Sequence, residues 1–155
     1  MELTEVRKQA VRDSWTLVSA NLKQNAVDFF LHFFKSYPEY QSVFPDFRGL
    51  TLEELAPHKK LRGHGVRVFY ALASLLDNLD DLDVVIGITK KTVNDHYPRG
   101  VRYVHFEHLF TAILQFLGDK LGSAFTVVTK EGWQAVAETL LSVMKDELAV
   151  IESQN

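Results

Sequence analysis

Cysteine is absent from this chain of 155 residues. Without cysteine there is no disulfide framework, no thiolate metal site and no cysteine nucleophile. A chain of this length buries enough surface to form one core without covalent cross-links. We therefore expect a single domain over residues 1–155, and the lack of disulfides favours the reducing cytoplasm as its location.

Charge of one sign and long apolar runs are also lacking. Lysine and arginine number 17 and aspartate and glutamate 20, which gives a formal net charge of −3. Nucleic-acid binding uses a concentrated basic stripe, so we expect no nucleic-acid partner. The longest nearly continuous apolar segment is residues 69–76, whereas a membrane-spanning helix needs about 20 residues. We expect no membrane span and, because the N-terminus is charged, no signal peptide.

Proline is scarce, with four residues at positions 38, 45, 57 and 98, so the long intervals between them are free to form helices. Apolar residues in these intervals recur three or four positions apart, as on one face of a helix. The six faces are Val11, Trp15 and Val18; Ala26, Phe29, Phe30, Phe33 and Phe34; Leu61, Gly65, Val68, Leu72, Leu75 and Leu76; Val85, Ile88, Thr92 and His96; Phe106, Leu109, Phe110, Ile113 and Leu117; and Trp133, Val136, Leu140, Val143 and Met144. This pattern predicts an all-α fold with six long helices, although periodicity does not distinguish an up-and-down bundle from other arrangements.

The ends of two helices are marked by local signals. Pro98 disfavours helical geometry at Tyr97, so we expect the helix that contains His96 to stop there. Residues 77–83 are rich in aspartate but lack the glycine and the alternating oxygen ligands of a calcium-binding EF-hand loop. We expect a solvated connection here, with Asp83 as the N-cap of the next helix.

Two histidines lie on apolar helical faces. His64 shares a face with Leu61 and Val68, and His96 ends the face that includes Thr92. A lone histidine in such a position is usually a neutral, hydrogen-bonded core residue. An apolar pocket with one imidazole on each wall is also what a planar, metal-centred cofactor needs. Residue spacing alone leaves both interpretations open.

Other motifs for metal or substrate chemistry are weak or missing. His105 and His108 stand three positions apart on one predicted helix, but no carboxylate set or HExxH motif accompanies them. We expect them to be surface histidines. No GxSxG motif and no P-loop is present, so hydrolase and nucleotide-binding functions have no support.

Four segments together carry a resemblance to a known family. They are Trp15; Tyr37-Pro38-Glu39 followed by Phe44 and Phe47; residues 61–68, LRGHGVRV; and residues 96–101, HYPRGV. In this order and with these intervals they resemble the globins, over about residues 3–148. Residues 121–126 look like neuroglobin, whereas Pro98-Arg99 looks like the invertebrate single-domain, intracellular globins. The resemblance implies a globin fold of six to eight helices around a haem pocket.

The resemblance also implies a cofactor, haem b, and roles for individual residues. His96 would be the proximal iron ligand, and His64 would be the distal residue and a possible sixth ligand. Phe30 and Val68 would close the ligand pocket beside His64. The expected apolar haem contacts are Phe44, Phe47, Val68, Val101, Phe106, Leu109 and Leu140. We further expect the second helix to cross the distal helix closely, where the small residues Ala26 and Gly65 lie.

Two acidic residues depart from the family pattern. Asp46 stands where a basic residue often holds a haem propionate, so we expect Arg67 and Arg99 to bind the two propionates instead. Asp95 precedes His96, where a small hydroxyl residue is common. Its carboxylate either accepts the imidazole N–H, which would make the ligand more electron-rich, or points into water. The rarity of buried, unpaired carboxylates favours water.

The resemblance implies reversible binding of dioxygen and other diatomic gases at ferrous iron, for oxygen storage, transport or sensing, by a monomer or weak homo-oligomer. The alternative is a redox enzyme on the same haem that acts on nitric oxide, nitrite or peroxide. Such an enzyme would need an electron source such as a reductase, and its haem could be six-coordinate, with His64 and His96 both on the iron. A third hypothesis, a haem-free helical scaffold, predicts that the purified protein has no Soret band.

Overall fold

The computed structural model describes all 155 residues as an all-helical chain without strands. The seven α-helices are α1 (Glu5–Ser19), α2 (Leu22–Ser36), α3 (Leu52–Leu55), α4 (Lys59–Asp77), α5 (Leu82–His96), α6 (Tyr103–Leu121) and α7 (Val127–Ser153). Four 3-10 segments connect them, at Pro38–Val43, Pro45–Phe47, Tyr97–Arg99 and Gly122–Ala124. The predicted all-α class with six long helices is confirmed, and the short α3 is added to it. No helix combines the length and the apolar character that a bilayer crossing requires.

The aromatic face of α2 forms the centre of the core. Phe29 is fully buried, and its ring centroid lies 5.9 Å from that of Phe69 in α4 and 5.6 Å from that of Phe116 in α6. The same helix buries three further phenylalanines, Phe30, Phe33 and Phe34. Because aromatic side chains bury large apolar areas, α2 fixes the relative position of α4 and α6.

Helices α2 and α4 approach closely at one pair of small residues, as the sequence predicts. A Cβ atom built on Gly65 would lie 3.1 Å from Cβ of Ala26 and 3.3 Å from the carbonyl carbon and oxygen of that residue. A side chain at position 65 would therefore require the neighbouring backbone to move by a few tenths of an ångström. One helical turn after Ala26, Phe30 reaches His64, with the two ring centroids 4.9 Å apart.

The first and last long helices pack through a second close crossing. A Cβ atom on Gly132 would lie 2.7 Å from the carbonyl oxygen of Arg7, so α7 contacts the backbone of α1 directly. Next to it, the indole Nε1 of Trp133 donates to Oγ of Ser14 at 2.8 Å, and that hydroxyl donates to the carbonyl of Val11 at 2.8 Å. Both groups are buried, so each polar atom is satisfied inside the core.

The aspartate-rich connection before α5 differs from the expectation in one detail. The N-cap is Asp81, whose side chain accepts from the backbone N–H of Val84, and Asp83 lies inside the first turn. The connection is also paired with α1, because Asp80 contacts Lys8 at 2.8 Å and Arg12 at 3.0 Å. The hydrogen bond from Lys8 is the main reason that the pKa of Asp80 is lowered.

The end of α5 follows the proline signal only in part. The α-helix stops at His96, but Tyr97 keeps right-handed helical dihedrals and begins a 3-10 turn. The turn ends at Gly100, whose φ of 87° is a conformation that favours glycine. The Arg102 guanidinium lies 3.7 Å from the centroid of the Tyr97 ring and donates to the Tyr97 carbonyl, which stabilises this compact connection to α6.

Replacing Ser14 by alanine should lower the free energy of unfolding by about 1–3 kcal/mol, because the buried Trp133 N–H loses its acceptor. Denaturant titration measures the effect. Ser74→Ala is the matched control, since Ser74 is exposed and bonds only to the carbonyl of its own helix. Equal losses of stability in the two variants would contradict the assigned role of Ser14.

Two glycines of α4 should respond differently to alanine. At Gly63 a Cβ would meet only a flexible arginine side chain, Nη1 of Arg67, at 3.6 Å, so alanine should stabilise the helix by up to about 1 kcal/mol. At Gly65 the contact with the α2 backbone should cancel or reverse that gain. Thermal unfolding of both variants checks this order, and a more stable Gly65→Ala than Gly63→Ala protein would contradict it.

Candidate functional site

Two adjoining cavities lie between α4 and α5, next to α6. They have volumes of about 100 Å³ and 530 Å³, both partly open to solvent. The two cavities share five lining residues, which are His64, Val68, His96, Phe106 and Leu109. They therefore form one continuous space, which we call the slot, and its size suits a large organic cofactor rather than a lone ion.

His96 lies on one wall of the slot, at the end of α5. Its Nδ1 lies 2.7 Å from the carbonyl oxygen of Thr92, one turn earlier in the same helix. A carbonyl only accepts hydrogen bonds, so Nδ1 carries the proton and the lone pair is on Nε2. This is the arrangement by which proteins usually orient a histidine that binds a metal through its other nitrogen.

His64 lies on the opposite wall and is held by aromatic contacts alone. Its ring centroid is 4.9 Å from that of Phe30 and 4.9 Å from that of Phe44, both in edge-on geometry. Burial, reinforced by the positive charge of Arg67, lowers the pKa of His64 to about 4. The imidazole is therefore neutral at pH 7, with one N–H to donate and one lone pair to offer.

Two arginines line the larger of the two cavities, which we call the wider cavity; the smaller one is the narrower cavity. Arg67 and Arg99 are exposed there, on α4 and on the 3-10 turn after α5. Neither arginine forms an ion pair within 4.0 Å, and Asp95, which lines the same cavity, is paired with Lys91 at 2.8 Å. Both guanidinium groups are thus available to an anionic ligand.

Asp95 does not contact the imidazole of the neighbouring His96. Its carboxylate is exposed and accepts from Nζ of Lys91, which is the main reason that its pKa is lowered. The hydrogen bond from His96 goes to the Thr92 carbonyl instead. Of the two alternatives left by the sequence, the solvent-facing one is correct.

Most of the residues that the sequence nominates meet in the slot. Phe30, Phe44 and Val101 line the narrower cavity, and Val68, Phe106 and Leu109 line both. Two do not reach it. Phe47 packs against Phe34 and His58, and Leu140 is buried in the core, while Met144, one turn further along α7, lines the slot. Leu140 and Met144 lie on the same face of α7, and the rotation of this helix places Met144 rather than Leu140 at the slot.

Other lining residues are absent from the sequence-based prediction. Thr92 supplies the carbonyl for His96, and its spacing of four residues within one helix is a signal that could have found it. Tyr40 and His105 line the narrower cavity, and His105 and His108 are half-buried rather than on the surface. They pack against the 3-10 segment Pro38–Val43, where the Tyr40 hydroxyl meets Nδ1 of His108. No local sequence pattern predicts that contact, because it joins residues that are far apart in the sequence.

The slot can hold a planar, anionic, metal-centred group. Nε2 of His96 offers a neutral nitrogen ligand from one wall, and His64 faces the same space from the other. The narrower cavity is mainly apolar, with nine hydrophobic residues among its twelve, while the two arginines lie at the wider cavity. This donor set, an apolar wall and a cationic rim, fits haem with its two propionates.

Comparison with known proteins agrees with this geometry. The globin family model matches residues 27–144. A globin from Nerita albicilla is 30% identical over 145 residues, which cover 94% of this chain and 92% of the relative. Hemoglobin-3 from Phacoides pectinatus is 25% identical, with 93% and 94% covered, and Cytoglobin-2 from Danio rerio is 26% identical, with 89% and 78% covered. The chain therefore belongs to the globin family of haem proteins that bind small gas molecules, and is of the invertebrate single-domain type.

Proposed function

We propose that this globin binds dioxygen reversibly in the slot, at ferrous haem b held by His96, and serves oxygen storage, transport or sensing in the cytoplasm. The observation that carries the proposal is the hydrogen bond from Nδ1 of His96 to the Thr92 carbonyl. It fixes the tautomer, so Nε2 is free to bind iron. When bound, haem supplies a ferrous iron that takes up a diatomic gas and releases it.

On the wall that would bind iron, the protein orients the His96 imidazole but adds no negative charge to it. The Thr92 carbonyl is a neutral acceptor, so it orients the His96 ring without giving it the negative character that a carboxylate partner would add. Asp95, the nearest candidate for such a partner, is bound to Lys91. A neutral proximal histidine favours ferrous gas binding over strongly oxidising chemistry, as in other globins with a histidine ligand.

On the opposite wall, His64 stabilises the bound gas. The His64 N–H would donate a charge-assisted hydrogen bond to a gas ligand that carries partial negative charge. The low pKa of about 4 keeps the ring neutral near pH 7, and thus limits the supply of protons that would promote oxidation of the iron. Phe30 and Val68 add apolar surface beside His64.

At the wider end of the slot, Arg67 and Arg99 would hold the two propionates. A guanidinium group matches a carboxylate in shape and can donate two parallel hydrogen bonds. Neither arginine forms an ion pair, and the carboxylate of Asp95 in the same cavity is paired with Lys91. We assign one arginine to each propionate, since one lies on α4 and the other follows α5.

Six-coordinate haem with His64 on the iron is the competing arrangement. For this the imidazole would have to leave its place between the rings of Phe30 and Phe44, which contact it edge-on from two sides. No hydrogen bond holds His64 to another element, so only these aromatic contacts resist the movement. We propose that they keep His64 as a hydrogen-bond donor to the gas, rather than as a second ligand of the iron.

The visible spectrum of the ferrous protein tests both statements. The purified protein should show an intense Soret band and, without ligand, one broad band in the green. Added dioxygen should change this spectrum, and removal of the gas should restore it. Sharp, split bands that disappear in His64→Leu would instead place His64 on the iron, and the absence of a Soret band would contradict haem binding altogether.

His96→Gly should lose the native proximal bond, and free imidazole should restore it by entering the cavity left by the side chain. The expected result is a perturbed haem spectrum that returns toward normal as imidazole is added. His58→Gly is the matched control, because His58 caps α4 and does not line the slot. An unperturbed spectrum of His96→Gly without imidazole would overturn the assignment of the iron ligand.

A further inference from the structure

His105 caps the start of α6 through a hydrogen bond to the backbone. Its Nδ1 accepts from the backbone N–H of Arg102, the N-cap residue of this helix, at 2.7 Å. A backbone N–H only donates, so Nδ1 of His105 carries the lone pair and the proton of the neutral ring is on Nε2. The Arg102 N–H has no backbone acceptor, as is usual at the start of a helix, so it depends on this imidazole.

Arg102 also stabilises the connection between α5 and α6. Its Nη1 donates to the carbonyl of Tyr97 at 2.9 Å and to that of Val101 at 3.0 Å. Tyr97 directly follows His96 in the chain, and the backbone N–H of Val101 donates to the His96 carbonyl at 3.4 Å. The hydrogen bond between His105 and Arg102 therefore acts on His96 through the connection that follows it.

The surroundings of His105 disfavour its charged form. The ring is half-buried, lines the narrower cavity and packs edge-on against the Tyr40 ring, with centroids 5.0 Å apart. Burial is the main reason that the pKa of His105 is lowered, and the positive charges of His108 and Arg102 add to it. No carboxylate is among the groups that shift this pKa. His96 lines the same cavity without a hydrogen bond to His105.

We propose that His105 is a positioning residue for His96, and that uptake of a proton at Nδ1 of His105 switches this effect off. A protonated Nδ1 and the Arg102 N–H are both donors, so the hydrogen bond between them breaks and the connection after His96 loosens. This inference rests on the proposed haem binding, because its consequence lies at the residue that would hold iron. The protein should therefore retain haem less firmly in mild acid.

The direction of the pH effect follows from the lowered pKa. In the unfolded chain His105 takes up its proton near the ordinary histidine value of about 6.5, whereas in the folded protein it does so at a lower pH. The stability that the hydrogen bond contributes is thus complete above about pH 6.5 and is lost as the pH falls from there toward the lowered pKa. His64 also has a lowered pKa, so its effect has the same sign and must be separated by substitution.

Two variants separate the hydrogen bond from the titration. In His105→Asn the side-chain oxygen takes the place of Nδ1 and can accept from the Arg102 N–H, but it does not titrate. In His105→Phe the ring remains against Tyr40, but it accepts no hydrogen bond at any pH. Neither variant changes His64 or His96, so the part of the pH dependence that comes from these two histidines stays the same in all three proteins.

The measured quantity is the rate at which the haem-bound, full-length protein loses haem to an excess of an apoprotein acceptor. The ratio of this rate at about pH 5 to that at about pH 7.5 should be roughly 2- to 10-fold larger in wild type than in His105→Asn, as expected for one hydrogen bond. His105→Phe should show the same small ratio as His105→Asn, and should lose haem faster than wild type at about pH 7.5.

His32→Gln is the control, because His32 lies on α2 against Phe116 and does not line the slot. It should keep the wild-type ratio of the two rates. A ratio that stays at the wild-type value in both His105→Asn and His105→Phe would overturn the proposal. So would a ¹⁵N NMR spectrum of the haem-bound protein that places the proton of the neutral His105 ring on Nδ1.

The outcome also distinguishes failure of this inference from failure of the proposed function. A protein without a Soret band would contradict haem binding, and the proposed effect on haem retention would fail with it. A protein with a normal Soret band and reversible dioxygen binding, but with the same pH dependence of haem loss in wild type and in the two His105 variants, would overturn the inference alone.

Discussion

The contact between Gly65 and Ala26 is the constraint on which the slot depends. It sets the separation of α2 and α4, because a Cβ atom at position 65 would lie only 3.1 Å from Cβ of Ala26. The crossing also sets the positions of the Phe30 and His64 side chains, since each residue lies within one helical turn of the contact. A wider separation would move the aromatic ring away from the imidazole and admit water to the wall where a gas molecule would bind.

The two histidines of the slot are held by different forces, and this difference separates their roles. His96 is oriented by a hydrogen bond to the backbone, so its ring has one preferred direction and one preferred tautomer. His64 is held only by the edges of Phe30 and Phe44, which fix its position but leave its nitrogens free. A lone pair with a fixed direction suits a permanent metal ligand. A neutral ring with a free N–H suits a hydrogen-bond donor to a molecule that binds reversibly.

The features that sequence predicts are those set by local periodicity. The face that contains His64 and Val68 and the face that ends at His96 are correct, because helical spacing alone decides which residues share a side. Periodicity does not show that Met144 rather than Leu140 lines the slot, since this depends on the rotation of α7 against its neighbours. Periodicity also does not reveal the contact between Tyr40 and His108, which requires the segment after α2 to fold against α6.

The slot has two chemically different ends, and these match the two chemically different parts of a haem. Tyr40 lines only the narrower, mainly apolar cavity, whereas Arg67 and Arg99 line only the wider one. The propionates of a bound haem would lie toward the arginines, so the apolar edge of the ring would face Tyr40. A bound haem would therefore keep its charged groups at the exposed arginines and its apolar part in the mainly apolar cavity beside His64.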